Sequence, residues 1–232
     1  TGKLTGSRNI AIGKHAGLIL QDAAAENVLI GCFAGDGITG GTSNTIVGDN
    51  AGSGMSNASG NVVMGHNALN DGVGCGNDNV VIGNNAGFLA ESITQCTIIG
   101  ASACSSGDPM TGDNNTVIGR AAGNALTTGS ENTFVGAEAG DGGAGQNSNV
   151  AVGFRALSSN VGNQNSVMGF ESAKLLEGEN NVMVGCQSGL ISTSADNNVF
   201  VGHDAGGTNT TGDGNTFIGE SVRGSSATVS TE

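Results

Sequence analysis

The sequence predicts an all-β chain wound as a parallel β-solenoid (a β-roll) of about 13 coils of ~17 residues each. Three observations predict it. A short apolar run closed by glycine returns thirteen times from one end of the chain to the other. The residues around that glycine fall into fixed columns. No window sustains an apolar period of 3.6 residues, and glycine interrupts every run, which disfavours helix.

Aligned on the closing glycine, the repeats are marked by Gly13, Gly31, Gly48, Gly65, Gly83, Gly100, Gly119, Gly136, Gly153, Gly169, Gly185, Gly202 and Gly219, spaced 16 to 19 residues apart. Four residues before it stands asparagine: Asn9, Asn27, Asn44, Asn61, Asn79, Asn115, Asn132, Asn149, Asn165, Asn181, Asn198 and Asn215, with Cys96 the sole exception. The residue just before the glycine is always Ile, Val or Met. The one before that is always apolar but varies in size, from Ala11 to Phe134. Three before, the column holds Val, Ile, Thr or Ser; three after, it holds Ala in ten repeats, with Ser172, Ser188 and Val222 in the others. A third apolar point follows six to ten residues past the glycine, at Leu20, Ile38, Met55, Val73, Leu89, Met110, Leu126, Ala144, Val161, Leu176 and Ile191. The twelfth repeat has polar Asn209 there. The repeats leave no room for a second domain, so residues 1–232 read as a single repeat domain.

These columns justify each element of a coil in turn. A short β-branched run closed by glycine is a strand. The Gly, Asn, Asp, Ser and Thr that follow supply turns and positive φ angles. About 17 residues with two or three inward points cannot bury a core alone, but coils stacked ~4.8 Å apart give a rod roughly 60 Å long in which each leans on its neighbours. Identical amides one strand spacing apart suit an asparagine ladder along the axis; the alternative is that Asn only opens the turn into each strand. Side chains alternate along a strand. The uniform β-branched column just before the glycine is therefore expected inside, and the varied apolar column two before it is expected outside. Such an outward stripe exceeds what a monomer leaves exposed, so packing against other copies is expected. A flattened coil with both strand faces internal is the alternative.

Composition narrows the function classes. Glycine makes up 43 of 232 residues, more than twice its usual share, yet there is one proline (Pro109) and no glycine at every third position, so the chain is not collagen. The apolar fraction of 37% argues against disorder. Seven basic residues against twenty acidic ones give a net charge of −13, which supplies no basic stripe for nucleic acid and no attraction to anionic membranes. No stretch of 18 apolar residues spans a bilayer. The chain opens at Thr1 without a charged leader or apolar signal core, the expectation for a piece cut from a longer protein. Neither end, "TGKLTGS" or "SSATVSTE", reads as a solenoid cap.

The strand phrases "NVAVG" (149–153), "NIAIG" (9–13) and "NVVMG" (61–65) resemble the S-V-A-I-G motif in the heads of trimeric autotransporter adhesins of the YadA type. "TTGSENTFVGAEAG" (127–140) is also similar to repeats in phage tail fibres and other bacterial trimeric adhesive fibres. The resemblance covers the whole chain through a short, degenerate motif. It implies a left-handed roll, three parallel copies around one axis, and the motif's Val and Ile packed inside. This chain departs from the adhesin pattern in its longer coil, its Asn in place of Ser, and its Ala-Gly after the turn.

Chemistry-bearing residues are sparse. His15, His66 and His203 follow the repeat glycine in coils 1, 4 and 12, too far apart to cooperate within one chain; solvent-facing turns are expected, with a three-copy metal or anion site on a trimer axis as the alternative. Asp36, Asp141 and Asp213 sit in "GDG" loops that hint at calcium, but the glycine-rich calcium nonapeptide is absent. "GKHAG" (13–17) lacks the spacing of a phosphate loop. The five cysteines show no metal-ligand spacing. Cys96, in the asparagine column, and Cys104, in a glycine column, could form a disulfide within the sixth coil, the coil that also carries Pro109 and the longest spacing, read as a bulged loop. No catalytic residue, cofactor or metal site is expected.

The expected function is therefore non-catalytic: a structural or adhesive segment of a trimeric fibre at the extracellular cell surface, or alternatively a phage tail-fibre shaft on a virion. The expected partner is the chain itself, as a homotrimer, with a surface receptor or glycan engaged through another domain. Without Trp or Tyr the segment itself makes a poor sugar platform. An ice-binding solenoid with exposed Thr rows and a β-helix enzyme are the readings from other classes.

Overall fold

The short β-branched runs form strands, and the glycines that close them bring successive coils together. In the computed structural model, which describes residues 6–21, 23–70, 74–105, 107–159 and 162–223, each run is a three-residue strand one to three positions before its glycine. The chain groups into two compact units, Thr1–Asn115 and Thr116–Glu232. The first holds β1 (Ile10–Ile12), β2 (Val28–Ile30), β3 (Thr45–Val47), β4 (Val62–Met64), β5 (Val80–Ile82) and β6 (Thr97–Ile99). The second holds β7 (Thr116–Ile118), β8 (Thr133–Val135), β9 (Val150–Val152), β10 (Ser166–Met168), β11 (Val182–Val184), β12 (Val199–Val201) and β13 (Thr216–Ile218). Within each unit every strand pairs in parallel with the next, column on column, as Ile10 with Val28 or Val150 with Ser166. The fold is a parallel β-solenoid, and the described residues contain no helix.

Glycine closes the strand because the coils approach one another most tightly there. At Gly31, φ is +139°, and a Cβ would lie 2.2 Å from the carbonyl oxygen of Gly48 in the next coil. The same approach recurs up each unit. The turn then needs a left-handed residue two positions past the glycine, met by residues as different as His15, Phe33 and Glu138. A second stands four past it, usually glycine, but Leu69, Cys104, Leu157 and Ala173 in four coils.

The asparagine column is a ladder. Asn44 donates Nδ2 to Asn27 Oδ1 of the preceding coil (2.9 Å) and to the Ala58 carbonyl of the following one (2.8 Å). Its own Oδ1 accepts both the backbone N–H and the Nδ2 of Asn61 (3.0 Å each). One buried amide thus ties three coils together. The series runs Asn9, Asn27, Asn44, Asn61, Asn79 in the first unit and Asn132, Asn149, Asn165, Asn181, Asn198, Asn215 in the second, with each backbone N–H bonded to the Oδ1 before it. Cys96 keeps the backbone half, donating its N–H to Asn79 Oδ1 (2.9 Å), but its sulfur makes only long contacts, with the carbonyls of Gly112 (3.4 Å) and Thr94 (3.6 Å) and with Asn115 N (3.5 Å).

The structure reverses the expected direction of the strand faces. The column two before the glycine is the core: Leu29, Ile46, Val63, Val81, Ile98, Val117, Phe134, Ala151, Met183 and Phe200 are fully buried. The columns one and three before it face outward, half-buried to exposed, so the Val and Ile that the resemblance placed inside are outside. Alternation fixes which residues share a face but not which face is internal. The deciding packing is with the left-handed corner. Phe134 sits over Gly140, Phe200 over Gly206 and Met183 over Gly189, where any Cβ would collide with the ring or sulfur. Where the corner residue is Leu157, the strand residue shrinks to Ala151. Size is traded within that coil to keep the core full.

The third apolar column behaves as expected at Leu20, Ile38, Met55, Met110, Leu126 and Leu176, all buried. At Leu89 and Ile191 the buried position is instead the next residue, Ala90 or Ser192, and Ala144 is exposed. Val73 and Val161 lie outside the described residues. Asn209 is buried after all, its side chain closing a local turn with Gly212 through two hydrogen bonds (2.9 and 3.0 Å). In coil 6, residues 107–109 stand exposed before Met110 returns to pair with Ala90.

Truncating one rung should be costly. Asn44→Ala leaves buried donors and acceptors on two neighbouring coils without partners, a loss of about 3 kcal/mol in the denaturation free energy of that unit. Cys96→Asn, which rebuilds the missing rung, should add about 1 kcal/mol. Urea denaturation followed by circular dichroism checks both, and unchanged midpoints would contradict the ladder's role.

Candidate functional site

The feature of the described residues that calls for a partner is the outward sheet face. The same alternation that sends Ile46 inward sends Thr45 and Val47 outward, and it does so in every coil. One outward column is entirely Ile, Val or Met, the other Ile, Val, Thr or Ser. Among the described residues, nine of the fourteen large apolar side chains that stand exposed belong to these two columns, among them Ile12 (58%), Met168 (52%) and Ile218 (69%). Concentration in two stacked columns, rather than scatter, distinguishes this face from ordinary surface apolarity.

The turns carry the polar groups. A column that sequence reasoning missed stands six residues before each glycine. There a side-chain oxygen caps the backbone N–H of the equivalent residue one coil back: Thr42 N to Ser59 Oγ (3.0 Å), Ser59 N to Asn77 Oδ1 (2.8 Å), Glu179 N to Asp196 Oδ1 (2.7 Å) and Asp196 N to Asp213 Oδ1 (2.8 Å). Its signal was present as a run, broken at Ala25, of Ser, Thr, Asn, Asp and Glu in one column, the residue types that bond to nearby backbone. Asp213 therefore serves this external ladder, whereas Asp36 and Asp141 occupy a different column, five past the glycine. Burial raises the carboxyl pKa of both Asp36 and Asp141.

His15, His66 and His203 are exposed at the turns, His15 packing edge-on against Phe33 at 4.8 Å and His66 lying 3.3 Å from Asn84 Nδ2. All five cysteines are free thiols. Cys96 stays in the ladder and Cys104 at the left-handed corner, and the two, which the sequence allowed as a pair, are separate free thiols in this structure. Burial pushes the Cys75 thiol up to about 12 and raises those of Cys96 and Cys104, which keeps them protonated and poorly nucleophilic; Cys186 is exposed. Among the described residues no group of three or more His, Cys, Asp or Glu side chains is placed to hold a metal ion. Among them, too, no helix is long and apolar enough to cross a membrane.

In the second unit a charge network spans neighbouring turns. Glu138 accepts from both Arg155 (2.6 Å) and Arg120, and Lys174 pairs with Glu171 at 2.8 Å. Hydrogen bonds from Arg155 and Arg120 hold the Glu138 carboxyl below its ordinary pKa, while burial first, then the charge of Glu138, hold that of Asp141 above. The two act on stability in opposite senses. A lowered carboxyl contributes stability above its ordinary pKa and loses it as pH falls through the folded value; a raised one favours the fold in acid and loses that contribution as pH rises. Glu138→Gln should therefore lower the thermal midpoint at pH 7, and Asp141→Asn should raise it. Both differences should shrink toward zero below the ordinary carboxylate range. Melting curves across that range check the signs; pH-independent differences would contradict the assignment.

Compared with known proteins, the chain matches no family model, no curated protein and no solved structure.

Proposed function

We propose that the chain is a non-catalytic structural segment of a trimeric surface fibre, whose copies pack their outward sheet faces together around a common axis and hold a recognition domain away from the surface that bears them. The observation that carries this reading is the pair of outward apolar columns. Removing one fully exposed aliphatic side chain from water contributes about 1.5–3 kcal/mol, so even the half-exposed side chains of these columns give association a large gain. The trimer, the left-handed hand and the cell-surface location draw on the likeness of "NVAVG" and its repeats to adhesin heads; a phage tail-fibre shaft is the alternative setting. The acidic excess supports an extracellular, soluble particle rather than one bound to nucleic acid or anionic lipid. A receptor or glycan would be met through another domain.

One observation favours a second reading. With the faces reversed, Thr45, Thr97, Thr116, Thr133 and Thr216 point outward, each two residues before Val or Ile, as an ice-binding face would require. Five threonines among thirteen strands make a broken array, and the fibre reading accounts for the whole column.

Light-scattering mass in solution separates the two. A mass near three times 22.6 kDa is expected. A mass of 22.6 kDa at every concentration would overturn the fibre reading, and thermal hysteresis would then test the ice-binding one.

A further inference from the structure

The outward face is not uniform. Among the described residues, seven of the fourteen exposed large apolar side chains fall within three successive coils: Val150 and Phe154, Met168, Phe170 and Leu175, Val182 and Val184. Four of them belong to the outward sheet columns. Phe154 and Phe170 stand just past Gly153 and Gly169, in a column whose other members are charged, polar or small, from Lys14 and His66 to Ala101 and Cys186. Two exposed phenylalanines, the only large apolar residues in that column of the sequence, extend the apolar face at this one level.

Their setting selects the kind of partner. The two rings stack with centroids 5.6 Å apart and planes at 23°, and the Arg155 guanidinium lies over Phe154, 4.9 Å from its centroid. A sugar needs an open ring face, and this arrangement already engages the Phe154 ring within the protein. Charge points to a second copy. Two chains of net charge −13 repel one another, but around these rings Arg120, Arg155 and Lys174 stand against Glu138, Asp141 and Glu171, three cations for three carboxylates. Three of the seven basic residues of the chain are gathered here. A like-charged copy meets no net charge at this cluster, whose ion pairs form a satisfied polar rim around an apolar centre.

We propose that Phe154 and Phe170 are the anchor at which a second copy of this chain docks onto the outward sheet face. The proposal rests on the self-association reading above and adds the level at which that association is strongest. Exposed aromatics that become fully desolvated carry a disproportionate share of binding energy, and the aliphatic columns on either side exclude water around them.

The test compares association by light scattering on dilution for the unaltered chain, Phe154→Ser/Phe170→Ser, and the control Ile30→Ser/Met64→Ser, which removes outward apolar side chains elsewhere on the sheet. The phenylalanine variant should raise the concentration of half-dissociation at least about tenfold, and the control less than about threefold, with the β signal in circular dichroism unchanged. Should the double variant lose that signal, Phe170→Ser alone, at a side chain 49% exposed, serves in its place and should weaken association at least about threefold. Association weakened no more by the phenylalanine variants than by the control overturns this inference and leaves the fibre reading standing. A monomeric unaltered chain overturns both.

Discussion

A coil of this chain has no core of its own, and the buried asparagine amide is what makes the next coil obligatory. Each rung donates backward and forward and accepts from the following rung, so satisfying one amide requires the coil before it and the coil after it. Buried amide groups left without partners are costly, which turns a local preference for Asn into a demand for repetition. The glycine column adds the steric half of the same constraint: the coils come so close at Gly31 and its equivalents that no side chain fits between them. Hydrogen bonding fixes the register, and glycine permits the spacing.

The surface follows from that interior. The corner residue four past the glycine claims the strand residue two before it, so the varied apolar column fills the inside and the uniform β-branched columns are turned out. A sheet face of Val, Ile, Thr and Met is the by-product of how the coil closes. The same stacking that aligns the asparagines aligns these side chains into continuous columns within each unit, which is why their apolar character accumulates. The turns, by contrast, alternate polar types freely, and their charges are tied up locally, as at Glu138 between two arginines.

Much of this was legible in the sequence. The closing glycines and the asparagine column gave the number of coils, the parallel stacking and the position of every strand, because those features repeat with the backbone itself. The direction of the strand faces was not read correctly, since a period of two is symmetric under exchange of faces. The information was nonetheless present in single coils, where Phe134 goes with Gly140 and Ala151 with Leu157. Reading columns one at a time hides such pairs. The external ladder six before the glycine was overlooked for a related reason: Ser59, Asn77 and Asp113 differ in type but share an acceptor oxygen. Asn209 shows the converse, a polar residue at a core position that brings its own turn with it.

The central claim is that the β-branched columns face outward and are covered by other copies. Reactivity of a single introduced thiol tests it most directly: Val47→Cys in a Cys32→Ser/Cys186→Ser background, treated with a small water-soluble maleimide across a dilution series. The account predicts slow labelling where the chain associates and fast labelling once dilution separates the copies. Fast labelling at every concentration would show the face open to water, and slow labelling at every dilution would place Val47 inside its own coil; either result would contradict the account.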